Sequence, residues 1–201
     1  MSKDKYDEQT VKFYDKNFLK YINWSKKNTS FKLEKKFLSL LDETTSIIDV
    51  GCGAGHSSVW FSKKVQKVTA LDPSIKMTDK IKFLPNINTI TASILSVEFH
   101  EIFSGAWASF SLQHLEKKDQ KKAQRIIYDS LKPHGLFYLG IHKGEHSYRD
   151  NLGRLYVPRN KEELESELVE IGFRIWDISI KKSLSFEKKP IEIMHIFCLK
   201  N

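Results

Sequence analysis

Glycine recurs at every second position in the stretch "SIIDVGCGAGHSS", as Gly51, Gly53 and Gly55, directly after an apolar run that carries Asp49. A loop stripped of side chains lets a ligand lie against the peptide groups themselves. The dinucleotide fingerprint spaces its glycines G-x-G-x-x-G and sets pyrophosphate on a helix N-terminus. Here the third position of that pattern is His56. Asp49 would oppose a pyrophosphate and suits a cationic or amine-bearing ligand. Two histidines, His114 and His142, titrate near neutral pH and are candidate general bases, with packed or surface roles as the alternative. The segment 142–159, "HKGEHSYRDNLGRLYVPR", is long, charged and aromatic. Its Lys143, Tyr148, Arg149, Arg154 and Tyr156 could grip an anionic acceptor, or form a solvated lid. Cys52 and Cys198 lie far apart, with neither metal nor disulfide spacing, and are expected to be reduced and structural.

These residues need elements to bring them together. Residues 6–24 read as one helix, with Val11, Tyr14, Phe18 and Tyr21 on a stripe, and 31–41 as a second, with Leu33, Phe37, Leu40 and Leu41 on one face. Asn28, Thr29 and Ser30 are candidate caps before the second. From residue 46 strands and helices alternate. Strands are expected at 46–50, 67–72, 86–92, 105–110 and 136–142, helices at about 56–65, 74–84 and 117–131, and a turn at "KPHG". Asn160 and Glu163 form a capping box for a helix that ends at Gly172. Two strands, "FRIWDISIKK" and "IEIMHIFCLK", finish the chain with only a short loop around residues 186–190 between them, so they should be antiparallel neighbours. Alternation of this kind means an α/β fold: a mostly parallel sheet with helices on both faces and one reversed strand near an edge. Ligands bind such sheets beyond the carboxyl ends of the strands, where strand order reverses. That rule gathers Gly51–Gly55, Asp72, Ser93, Phe110, Ser111, His114 and His142 at one crevice, whereas His195 falls mid-strand and reads as structural.

On these residues the sequence resembles the class I S-adenosylmethionine-dependent methyltransferases. "DVGCGAG" is similar to that family's first motif and "LDPSIKM" to its second. "AWASFSLQHL" resembles the fourth-strand motif, "LKPHGLFYLGIHKGE" the fifth-strand segment with His134 in place of a glycine, and "EELESELVEIGF" the helix and strand that close the sheet. The resemblance covers roughly residues 6–200. It implies a Rossmann-like, seven-stranded sheet with the last strand antiparallel, in a single domain of 1–201. Residues 1–45 would be a helical cap and 46–201 the core.

The cofactor it implies is S-adenosylmethionine. Gly51, Cys52, Gly53 and Gly55 would lie along its methionine and ribose parts, and Asp49 would support the loop or contact its ammonium. Asp72, with Pro73 beside it, would accept hydrogen bonds from the ribose diol. Met77 would pack an adenine face or serve only the core. Relatives often carry an acid after strand three; here Ser93, or backbone up to Ile94, would meet the adenine amine. The sulfonium favours a nearby aromatic face, for which Tyr6, Tyr14 and Phe110 are candidates. "YDEQTVKFY" loosely matches an N-terminal element that folds over the cofactor, with Thr10 where alanine is common.

With 201 residues, 40% hydrophobic and 29% charged, the chain has the composition of a globular protein. No apolar run reaches the roughly 18–20 residues of a membrane span, and the N-terminus lacks a signal-peptide core, so a cytoplasmic location is expected. The formal charge of +8 could attract nucleic acid, but lysine predominates, no basic-aromatic motif appears, and a solvated surface accounts for it. The expected acceptor is therefore a small molecule. An RNA- or protein-directed methyltransferase, a non-catalytic S-adenosylmethionine-binding protein and a dinucleotide oxidoreductase are the alternatives.

Overall fold

A computed structural model describes residues 6–27, 30–41 and 46–201. Three helices come first: α1 (Glu8–Lys16), α2 (Phe18–Lys27) and α3 (Lys32–Ser39). Asp7 caps α1 by accepting the Thr10 N–H at 2.8 Å. The helix expected over 6–24 is broken in two at Asn17, whose side-chain amide donates to the Phe13 carbonyl and closes α1. Of the candidate caps for α3, Asn28 and Thr29 lie outside the described residues. Ser30 does not cap: Phe31 holds that position at φ 54° without a side-chain cap bond.

The core follows as β1 (Ser46–Val50), α4 (His56–Phe61), β2 (Lys67–Asp72), α5 (Ile75–Asp79), β3 (Ile87–Thr91), β4 (Phe103–Ser109), α6 (Lys117–Ser130) and β5 (Leu131–Lys143). A small pair, β6 (Tyr148–Arg149) and β7 (Leu155–Tyr156), precedes α7 (Lys161–Ile171), β8 (Phe173–Leu184) and β9 (Pro190–Lys200). Seven strands form one sheet in the order β3-β2-β1-β4-β5-β9-β8. β1 to β5 run parallel, and β9 lies antiparallel between β5 and β8. The order reverses at β1, which pairs with both β2 and β4.

Both faces are covered, which is why β1 reads as a continuous apolar run. Ile48, Phe137, Leu139 and Ile141 pack on one face with Ile127 of α6 and Leu164 and Leu168 of α7. Ile47, Trp107, Tyr138 and Phe197 pack on the other with Phe37 of α3 and Phe61 of α4. The cap is thus anchored by a fully buried phenylalanine. Polar ties add to it: the Thr10 hydroxyl accepts the Leu155 N–H at 2.9 Å, and Arg149 pairs with Asp7 at 2.6 Å.

Three local departures from the sequence reading have physical causes. "KPHG" is not a free turn but a bulge inside a longer β5: Phe103 pairs with Leu131 and Gly105 with Leu136, while His134 sits at φ 62°. The segment 142–159 is not an open loop. Asp150 accepts the N–H groups of Leu152 and Arg154 and folds it into the β6–β7 pair. The expected helix at 74–84 is helical only over Ile75–Asp79. Among the described residues, no helix is long and apolar enough to cross a membrane.

Candidate active site

Where strand order reverses, the ends of β1, β2 and β4 and the cap line a cleft of about 110 Å³. Its wall includes Gly51, Gly53, Asp72, Pro73, Ser74 and Met77. Ser93, Ile94 and Phe110 line it too, with Tyr6, Thr10, Tyr14 and Tyr21 from the cap. Of the residues expected at one crevice, Gly51, Gly53, Asp72, Ser93, Phe110, Ser111 and His114 line this cleft, while Cys52, Gly55 and His142 do not, and Thr10, Val11 and Tyr14 of α1 lie over it. Ser74 donates to Asp15 of α1 at 2.5 Å, joining cap to core beside the cleft.

Asp72 ends β2 and is buried. One carboxylate oxygen accepts the Gly53 N–H at 2.9 Å and the other the Ser74 N–H at 2.8 Å, so each keeps a lone pair for a ligand. Burial pushes its pKa up to about 6 against the pull of those two N–H groups. Asp49 is buried as well, and its carboxylate accepts a hydrogen bond from the Ser58 hydroxyl at 2.5 Å. Burial raises it to about 7, and the negative charges of Glu34 and Asp72 add to the rise. It ties β1 to α4 through that bond and does not line this cleft.

The glycines divide by role. Gly51 and Gly53, at φ 71° and 49°, line the cleft. Gly55, at φ 75°, does not: it sits at the N-cap of α4, where a Cβ would press Ile81. Cys52 also faces away from this cleft, its thiol pushed well above the usual range by burial. Met77 is almost wholly buried and lines the cleft, so packing and ligand contact coincide. The Ser93 hydroxyl oxygen accepts the Leu95 N–H at 3.2 Å.

A second, larger chamber adjoins the first and shares Tyr14, Tyr21, Gly51, Gly53, Ser109 and Phe110 with it. Its other lining residues include Trp24, Glu34, Asp49, His142, Arg154, Tyr156, Phe186 and His195. His142 reaches it. Its Nδ1 has no hydrogen-bond partner among the described residues, and its ring lies parallel to that of Tyr156 at 5.1 Å. Burial lowers its pKa to about 4, helped by His114 and Arg154, so it is neutral at pH 7. His114 lines the first cleft. Its Nδ1 faces the Leu155 carbonyl at 2.5 Å, which can only accept, so that nitrogen carries the hydrogen. Its Nε2 therefore accepts a hydrogen bond from the Tyr14 hydroxyl at 3.1 Å, and both ring nitrogens are engaged. Tyr14→Phe is expected to destabilise the protein by about 1–2 kcal/mol, because it orphans that buried nitrogen; chemical denaturation measures this, and an unchanged midpoint would argue against the bond.

The expected acceptor-side residues separate. Arg154 and Tyr156 line the second chamber. Lys143 and Tyr148 line a third, outer cavity instead, where Lys143 pairs with Glu192 at 2.9 Å and Tyr148 stacks on Tyr156. Arg149 is held by Asp7. The second chamber is also lined by Tyr21, which the sequence places only on a helical stripe, by His195, which it reads as structural, and by Glu34 and Phe186, to which it gives no site role. Glu34 and His195 carried a signal, each being polar on an otherwise apolar face: beside Leu33 and Phe37 in α3, and between Ile193 and Phe197 in β9. Among the described residues no cluster of ligands fits a metal ion.

Residues 47–135 match the family described as "Methyltransferase domain". No curated protein matches the sequence. Solved structures share the fold at low identity. The 1,6-didemethyltoxoflavin-N1-methyltransferase of Burkholderia thailandensis, with bound 1,6-didemethyltoxoflavin and S-adenosylhomocysteine, is 16% identical with a TM-score of 0.71, covering 95% of this chain and 88% of its own. The N-methyltransferase NodS of Bradyrhizobium japonicum, in complex with S-adenosylhomocysteine, is 17% identical with a TM-score of 0.71, covering 96% and 99%. A Haloferax volcanii methyltransferase solved with its activator protein is 13% identical with a TM-score of 0.73, covering 92% and 96%.

Proposed function

We propose, from the premise that residues 47–135 belong to the methyltransferase-domain family and the chain has the class I methyltransferase fold, that this enzyme transfers the methyl group of S-adenosylmethionine to a small-molecule acceptor. The observation that carries the reading is the pair of connected chambers. One presents a side-chain-free loop and a buried carboxylate; the other is aromatic and meets it at Tyr14, Tyr21 and Phe110. The whole chain acts as one unit, cap over core.

The residues present fit the cofactor. Asp72 has lone pairs left for a ribose diol, and Gly51 and Gly53 leave their backbone open to the cleft. Met77, Ile94 and Ser93 would meet the adenine, with Pro73 beside the ribose. Phe110 and Tyr14 offer ring faces where the two chambers join. When bound, the cofactor supplies a methyl group on a sulfonium, a strong leaving group. The protein's share is then to align the acceptor, exclude water and take up a proton where the acceptor carries one. The cap lies over the cleft, and His142, neutral and lining the second chamber, is the candidate proton acceptor. The proposed setting is the cytosol, where the buried Cys52 and Cys198 stay as thiols.

S-adenosylmethionine at a hundred times its Kd should stabilise the protein by about 2.7 kcal/mol, roughly 5–10 °C in Tm for a chain of this length. Scanning calorimetry checks it; no shift at millimolar ligand would sink the cofactor assignment. Transfer of a labelled methyl group into a metabolite extract supports the small-molecule acceptor. Label in RNA or protein, with binding that weakens steeply with salt, would move the assignment to a macromolecular acceptor.

A further inference from the structure

The second chamber has a built polar edge where β5 meets β9. Gly140 pairs with His195, and His142 with Ile193, so the two histidines stand on one face of neighbouring strands. The missing side chain at Gly140 makes room between them. A Cβ there would come within 2.8 Å of the Tyr138 hydroxyl and 3.4 Å of the Phe110 ring. Through this gap Tyr138 reaches His195 Nδ1 at 2.8 Å, and Phe110 packs edge-on against both imidazoles, at 6.0 Å and 5.9 Å. Both histidines are almost wholly buried. Burial lowers each to about 4, so both are neutral at pH 7.

The chamber carries no uncompensated cation among its described lining residues. Its one guanidinium, Arg154, is held by Asp150 at 2.7 Å with both side chains buried, and is ringed by Phe13, Tyr14, Tyr156 and Phe186. Glu34 and Asp49 lie on the same lining. From the protein's own lining an anion would meet Glu34 and Asp49 and no unpaired positive charge, which costs more the less water is present. Above the histidine edge, Tyr21, Trp24 and Phe186 form a cluster with ring centroids 5.2–6.3 Å apart. Aromatic walls of this kind favour planar ring ligands.

We propose that the second chamber takes an uncharged, planar aromatic or heteroaromatic acceptor, methylated at a ring N–H or O–H, with His142 and His195 gripping the edge that carries the proton. The proposal rests on the cofactor reading above and replaces the expectation of an anionic acceptor. The two imidazoles have complementary tasks. In the tautomer in which the Tyr138 hydroxyl donates to Nδ1, His195 carries its hydrogen on Nε2 and donates to the acceptor, while the His142 imidazole receives. In the transfer, the acceptor's lone pair forms the bond to the methyl carbon and the carbon–sulfur electron pair stays on sulfur, leaving a neutral thioether. The N–H or O–H proton passes to the His142 imidazole and from there to solvent.

Calorimetric titration of the protein saturated with S-adenosylhomocysteine tests this with three probes at pH 7.5: 2-naphthol, 2-naphthoate and 2-methoxynaphthalene. The expected result is 2-naphthol binding at least tenfold more tightly than either of the others. His142→Phe and His195→Asn should erase the preference for 2-naphthol over 2-methoxynaphthalene while S-adenosylhomocysteine still binds, an outcome that general loss of structure would not give. Equal or tighter binding of 2-naphthoate, no binding of any probe, or folded variants that keep the preference would overturn the proposal and leave the cofactor assignment standing. Should the variants not fold, the three wild-type affinities still decide. Failure of S-adenosylhomocysteine itself to bind would overturn the cofactor reading and this proposal together.

Discussion

Gly51→Ala is expected to lower stability by about 2–5 kcal/mol and to abolish the thermal shift with S-adenosylmethionine. Two independent costs add. Gly51 sits at φ 71°, and a non-glycine residue in that left-handed region costs about 1–2 kcal/mol. The new Cβ would also lie 2.2 Å from Ser111 Cβ and 2.9 Å from its hydroxyl. Neither side can withdraw: the Ser111 hydroxyl donates to the Val50 carbonyl at 2.5 Å, and the Gly51 N–H donates to the Leu71 carbonyl at 2.7 Å. Overpacking of that kind costs about 1–3 kcal/mol. Gly53→Ala is the contrast. Its Cβ would meet nothing closer than Tyr21 at 3.7 Å, so only the φ strain of about 1–2 kcal/mol applies. It should nonetheless weaken cofactor binding, because that Cβ would occupy ligand space. Urea denaturation of the two variants separates packing from binding. A Gly51→Ala protein as stable as the wild type would mean that the loop is not clamped between β2 and Ser111.

That clamp was legible in the sequence only by halves. The glycine spacing, the acid ending β2 and the alternation of strands with helices are local patterns, and they placed the crevice correctly at the carboxyl ends of the strands. The partner that makes Gly51 intolerant, Ser111, follows a different strand and meets the loop only because β1 and β4 are neighbours. Tertiary hydrogen bonds also bear on the histidines. His114 reads as a candidate base, and the Leu155 carbonyl and Tyr14, both distant in sequence, engage its two nitrogens. His195 looked structural within an apolar strand, yet the gap at Gly140 opposite it opens a chamber. Asn17 is a case of local chemistry overriding periodicity. The apolar stripe continues across it, but its side chain caps α1 and turns the chain so that Tyr14 and Tyr21 both face the cleft. In the segment 142–159 the charges alone do not reveal their partners. Lys143, Arg149 and Arg154 advertise an anion site, and the fold pairs each of them with an acid.

Asp72→Asn should reduce affinity for S-adenosylmethionine by about tenfold to a hundredfold, or 1–3 kcal/mol, while leaving the melting temperature of the free protein at pH 8 nearly unchanged. Each carboxylate oxygen already accepts a backbone N–H, from Gly53 and from Ser74. An asparagine must therefore point its NH₂ at one of those donors, and it offers the ribose diol a weaker, uncharged acceptor. The same substitution removes a destabilising burial. Asp72 titrates at about 6 in the folded protein, above its ordinary 3.8, so the folded state holds its proton more tightly than the unfolded one. That stabilisation is complete below about pH 4 and is lost as pH rises through 6; at pH 8 the wild type bears the full cost of a buried charge. Losing that cost offsets the mispaired amide. The titration gives the binding experiment its own signature. Wild-type affinity should fall as pH drops below about 6 and Asp72 gains a proton, whereas the Asp72→Asn variant should show no such fall. Asp49, at about 7, titrates just above this window, but its carboxylate is directed to Ser58, so Asp49→Asn should retain the decline near pH 6. Isothermal titration of the three proteins between pH 5 and 8 measures all of this. An Asp72→Asn variant that binds the cofactor as the wild type does, with the pH dependence intact, would take Asp72 out of the site.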